Sequence, residues 1–74
     1  MSALKIAFAG LRHFHITSLY KRLKDDPRFE IAAICEEDEA AAETALRSWG
    51  IKADYRNFQR MLDEVSFDIL AIGD

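Results

Sequence analysis

The sequence predicts an α/β fold built on a parallel sheet, and three observations carry that prediction. Short apolar runs alternate with segments whose apolar residues recur at helical spacing. The runs are nearly continuous rather than alternating, which is the pattern of strands covered on both faces. Breakers stand at the changes of pattern: Gly10, Asp25-Asp26-Pro27, Gly50 and Gly73. A chain of 74 residues suffices for one small domain.

The elements follow in order. Leu4 to Ala9 (LKIAFA) is a strand that ends at Gly10. Residues 13 to 24 carry Ile16, Leu19, Tyr20 and Leu23 on one helical face, and Asp25, Asp26 and Pro27 end that helix. Phe29 to Cys35 (FEIAAIC) is a second strand. The acidic stretch Glu36 to Glu39 then opens a second helix, where carboxylates favour the positive N-terminal end, with Asp38 as N-cap. Ala42, Ala45, Leu46 and Trp49 form its apolar face, and Gly50 is the residue that ends it. Lys52 to Tyr55 fits a short strand. Asn57 caps a third helix carrying Phe58, Met61, Leu62 and Val65. Phe67 to Ile72 (FDILAI) is the last strand, ending at Gly73. Trp49 and Phe58 are expected in the core or covering the sheet.

The order is β-α-β-α-β-α-β. Right-handed crossovers then give a Rossmann-like half domain with strand order 3-2-1-4. Ligands in such sheets bind beyond the carboxyl ends of the strands, where the order reverses. That places Gly10 to His13 on one side of the site and Gly73 to Asp74 on the other. The strand at 67–72 has an open edge. The expectation is that residues 1–74 are the N-terminal part of a longer dinucleotide-binding domain. The rival is a short protein that pairs this edge with another copy as a homo-oligomer.

Composition narrows the partners. Half the residues are hydrophobic, 31% are charged and the formal net charge is -3, so the chain is globular and carries no basic footprint for nucleic acid. Arg12, Lys21, Arg22 and Lys24 are answered at once by Asp25 and Asp26. The single cysteine, Cys35, lies in an apolar run and reads as a reduced, buried thiol. No apolar run has the length of a membrane span, and no leader pattern is visible, so a cytoplasmic location is expected.

The segment between the first strand and first helix reads Gly10-Leu11-Arg12-His13-Phe14-His15. A dinucleotide loop has G-x-G-x-x-G here: one glycine for the turn, one for approach to the pyrophosphate, one for helix packing. Gly10 fills the first place, while Arg12 and His15 replace the other two. A side chain at position 12 keeps backbone from closing on a pyrophosphate. Its guanidinium can instead face a phosphate, with His13 as a further donor beside the helix N-terminus. The plain alternative is a solvent-exposed loop arginine. Glu36 stands where an acidic residue holds ribose hydroxyls, and the alternative is a carboxylate that merely helps the next helix start. With a cofactor bound, Glu36, Glu37 and Asp38 repel a 2′-phosphate, which favours NAD over NADP. His13 and His15 lack the further ligands of a metal site, so none is expected.

These residues carry a family resemblance. The strand ending in Gly10, the E-I-A-A-I-C-E strand end, the alanine-rich helix closing at Trp49-Gly50, Asp54-Tyr55 before a capped helix, and Asp68 to Gly73 together resemble the N-terminal domain of the Gfo/Idh/MocA oxidoreductases. The likeness spans essentially the whole chain. It implies NAD(P)-dependent chemistry on sugars, cyclitols or related small molecules. Carried over by position, Gly10, Leu11, Arg12, His13 and His15 border the pyrophosphate, Glu36 the ribose, and Gly73 the far side of the cleft. The family's catalytic lysine, in an E-K-P loop after the next strand, and its C-terminal substrate domain are expected beyond Asp74, so the chain alone is not expected to be catalytic. The competing reading is a non-catalytic binding or regulatory module in which the altered loop has abolished dinucleotide binding.

Overall fold

A computed structural model describes residues 3–12 and 14–73. His13 and Asp74, both assigned to the site from sequence, lie outside the described residues.

Strand β1 spans Leu4–Ala9 and runs parallel to β2, Phe29–Cys35. Strand β3, Ile69–Ile72, pairs with the other edge of β1, also parallel. Helix α1 (Phe14–Leu23) joins β1 to β2; α2 (Glu39–Trp49) and α3 (Phe58–Glu64) lie between β2 and β3. The sheet order among the described residues is β2-β1-β3. The α/β, Rossmann-like half domain expected from the sequence is therefore present.

One strand of the expected 3-2-1-4 order is reduced. The segment Lys52 to Tyr55 makes a single parallel bridge, Cys35 with Tyr55, on the outer side of β2. The cause is Asp54. Its carboxylate accepts the Ile34 N–H at 3.0 Å, taking the place of a ladder carbonyl. Its own N–H and that of Tyr55 both converge on the Ile34 carbonyl. Asn57 then starts α3 two residues later, so no ladder can extend. A similar substitution trims β3 at its start. The Asp68 carboxylate accepts the Lys5 N–H at 2.8 Å, and regular pairing begins only at Ile69.

Alternation along β1 sorts the core into two layers. Ile6 and Phe8 face α1 and α2, joined by Leu11, Ile16, Ile34, Ala45 and Ile51. The Phe8 ring meets Tyr20 edge-on, with centroids 5.8 Å apart. Ala7 and Ala9 face the other way, with Ala33, Cys35 and Met61; Phe58, Val65 and Leu70 pack around them. The small alanines let α3 and its Met61 sit close to the sheet on that side.

The caps read from sequence are in place. The Asp38 carboxylate accepts the Ala40 N–H, the Asn57 side chain accepts the Arg60 N–H, and Gly50 adopts a left-handed φ of 70°. Trp49 departs from expectation. It is 37% exposed, with Leu46 beside it also exposed, while Ala42, Ala45 and Ile51 take the interior. The Gly50 turn directs Ile51 inward, so the residue after the helix fills the space assigned to Trp49. The Trp49 ring instead lies under Lys21 Nζ, 4.8 Å from its centroid. Among the described residues no helix is long and apolar enough to cross a membrane.

Candidate functional site

The carboxyl ends of β1, β2 and β3 meet the first residues of α3 around a cleft of about 240 Å³. Ala9, Gly10, Arg12, Cys35, Glu36, Glu37, Phe58 and Ile72 line it. Its position is the switch point, where the chain passes from β2 on one side of β1 to β3 on the other.

Gly10 turns the chain out of β1 with φ 91°, a conformation that favours glycine, and its N–H donates to the Cys35 carbonyl at 2.9 Å. Gly73 closes the other side. Its N–H donates to the Ala9 carbonyl at 2.8 Å. It is buried and does not line the cleft. A Cβ there would stand 2.6 Å from Ile16 Cβ and 2.9 Å from the Gly10 carbonyl oxygen. The Leu11 side chain is buried in the core.

Glu36 is 2% exposed. Its Oε1 accepts the Leu11 N–H at 2.6 Å, and its Oε2 accepts the Asp38 N–H at 2.9 Å. The Arg12 Nε lies 4.0 Å from Oε2, and the Arg12 side chain is 57% exposed. The next carboxylate, Glu37, accepts the Phe58 N–H at 3.0 Å. The acidic run therefore ties three elements to the end of β2. Glu36 holds the β1–α1 loop, Glu37 holds the start of α3, and Asp38 caps α2.

Cys35 sits on the cleft wall beneath these groups. Burial raises its thiol pKa, and the Glu37 and Glu36 carboxylates raise it further. It stays a neutral thiol rather than a nucleophile. Among the described residues no group of three or more His, Cys, Asp or Glu is placed to hold a metal ion.

Of the sequence-assigned residues, Gly10, Arg12 and Glu36 come together at the cleft. Glu37, read from sequence beside Glu36 as a group that repels a 2′-phosphate, also lines the cleft, and Phe58 is a lining residue that sequence reasoning placed in the core. A signal for Phe58 did exist. In a βαβ succession each helix begins at the end of the sheet where strands finish, and Phe58 directly follows the Asn57 cap.

The arrangement supplies a cation, a buried carboxylate and an apolar wall within one small cleft. Ligand pockets for drug-sized molecules run to roughly 300–1,000 Å³. At about 240 Å³ the cleft is smaller than that range.

Comparison with solved structures gives a likeness of fold. The chain is similar to two crystal structures of apo scyllo-inositol dehydrogenase from Lactobacillus casei, one of them at 77 K. Each has a TM-score of 0.68 and 16% sequence identity, over 99% of this chain. The chain spans only 22% of the length of those structures. No protein-family model matches the sequence, and no curated protein is similar enough to count as a relative.

Proposed function

We propose that this chain is the N-terminal part of the cofactor domain of an oxidoreductase that uses NAD, or NADP, on sugars, cyclitols or related small molecules. One observation carries the reading. A guanidinium, Arg12, and a carboxylate, Glu36, meet at the switch-point cleft of a fold shared with a dehydrogenase. That donor set matches the phosphate and the ribose hydroxyls of a nucleotide. Phe58, Ala9 and Ile72 offer apolar surface to the rest of the ligand. Gly10 supplies the turn. When bound, the nicotinamide supplies hydride transfer. This chain's residues bind and orient the nucleotide, and the partner small molecule meets other parts of the parent.

A second reading, a Rossmann-shaped module without a dinucleotide, draws on Glu36 being held by the loop and nearly buried. Calorimetric titration of NAD and NADP into the chain separates the two. The oxidoreductase reading expects saturable NAD binding, weaker NADP binding because of Glu36, Glu37 and Asp38, and loss of affinity in Arg12→Ala. A folded chain that takes neither nucleotide selects the module.

A further inference from the structure

Glu36 has a place and a set of partners that do not agree. It stands where a nucleotide needs a carboxylate for its ribose hydroxyls, yet the chain keeps it covered at 2% exposure. Two of its partners are backbone N–H groups, of Leu11 and Asp38, held by the strand end and the helix cap. The third is the Arg12 guanidinium, 4.0 Å away on a side chain that is 57% exposed. Of the three, only Arg12 can leave by rotating its own side chain, without moving backbone.

We propose that Arg12 is a latch on Glu36, and that a nucleotide enters by exchange of partners. The guanidinium passes from Glu36 to a phosphate of the ligand. Oε2, which keeps the Asp38 N–H, then turns its remaining lone pair to a ribose hydroxyl, while Oε1 stays on the Leu11 N–H and keeps the loop in place. This inference rests on the dinucleotide reading above.

The exchange makes recognition of phosphate and ribose interdependent. A ligand with both groups re-pairs both partners. A ligand with phosphate alone takes Arg12 and leaves a nearly buried carboxylate without its counter-charge. A ligand with ribose alone must push Arg12 into solvent and gains nothing for it. An ion pair with one exposed member is worth little, so each single-group ligand loses about two- to fivefold in affinity.

Titration of ADP, adenosine and inorganic pyrophosphate into the chain, Arg12→Ala and Glu36→Gln tests the exchange. ADP binds the unsubstituted chain and loses affinity in both variants. Adenosine gains about two- to fivefold in Arg12→Ala, because the latch is gone. Pyrophosphate gains in Glu36→Gln, because Arg12 is already free. The adenosine arm decides, since a neutral ligand feels no long-range charge from position 12. Glutamine at position 36 keeps an acceptor for the Leu11 N–H. Should that variant fail to fold, Arg12→Ala carries the test alone, since it alters an exposed side chain. ADP binding to the chain without any adenosine gain in Arg12→Ala overturns the latch and leaves the dinucleotide reading standing. A folded chain and folded variants that all fail to bind ADP overturn both.

Discussion

Gly73 and Gly50 are both needed, for different physical reasons. At Gly73 an added methyl would meet Ile16 Cβ at 2.6 Å and the Gly10 carbonyl oxygen at 2.9 Å, neither of which is the free end of a flexible side chain. At Gly50 nothing lies within 4 Å, and the difficulty is the left-handed φ of 70° alone. Gly73→Ala should therefore destabilise by about 3 kcal/mol, the upper part of the range for overpacking. Gly50→Ala should destabilise by about 1 kcal/mol, the strain of a left-handed non-glycine residue. Urea unfolding of both variants checks the ranking, and equal losses would refute the close-packing account of Gly73. The sequence marked Gly73 as a switch-point residue but could not show that Ile16 arrives against it. The same limit applies at Glu36. Its place at the end of the second strand was readable from the strand pattern. Its capture of the Leu11 N–H was not, because a backbone donor leaves no mark in the residue types.

Within elements, the limit of pattern reading is clearest in α2. Helical spacing put Ala42, Ala45, Leu46 and Trp49 on one face, and both caps of the helix were readable from Asp38 and Gly50. Periodicity does not say how far along the helix the sheet continues beneath it. The two alanines are buried, Leu46 and Trp49 are exposed, and Ile51 beyond the cap is fully buried. Trp49→Ala should then cost only about 1 kcal/mol, mostly the contact with Lys21. A core tryptophan would cost about 3–5 kcal/mol. Ile51→Ala should cost about 2–5 kcal/mol, because it opens a cavity between α2 and the sheet. Thermal unfolding of the pair decides it. A loss at Trp49 as large as that at Ile51 would return Trp49 to the core. The strands were legible because continuous apolar runs have few other uses in a short α/β chain. The segment at Lys52 to Tyr55 was misread as a strand because Asp54 serves as a ladder acceptor through its side chain, which strand propensity does not register.

Taken whole, the molecule is a sheet with helices on both faces and an edge at β3 that no described strand covers. Ile69 and Ile72 on that strand are 38% and 63% exposed. A 74-residue chain folding alone buries only about 60% of the surface its unfolded form exposes. An open edge with apolar side chains is a template for pairing with a second copy. Association of folded chains through it would add stability by mass action and make the melting temperature depend on concentration. The expected behaviour is a solution mass and a melting temperature that both rise as the chain is concentrated. Ile72→Lys places a charge on the edge, where it opposes strand addition. That variant should keep the circular dichroism spectrum of the fold, lose the rise in mass and melt at a temperature independent of concentration. Light scattering reads the mass and a melting series reads the linkage. An unsubstituted chain that stays strictly monomeric at high concentration would sink edge pairing. A variant that still associates would move the contact elsewhere, to the exposed Leu46 and Trp49 of α2 first, since they are the other large apolar side chains exposed side by side on one element.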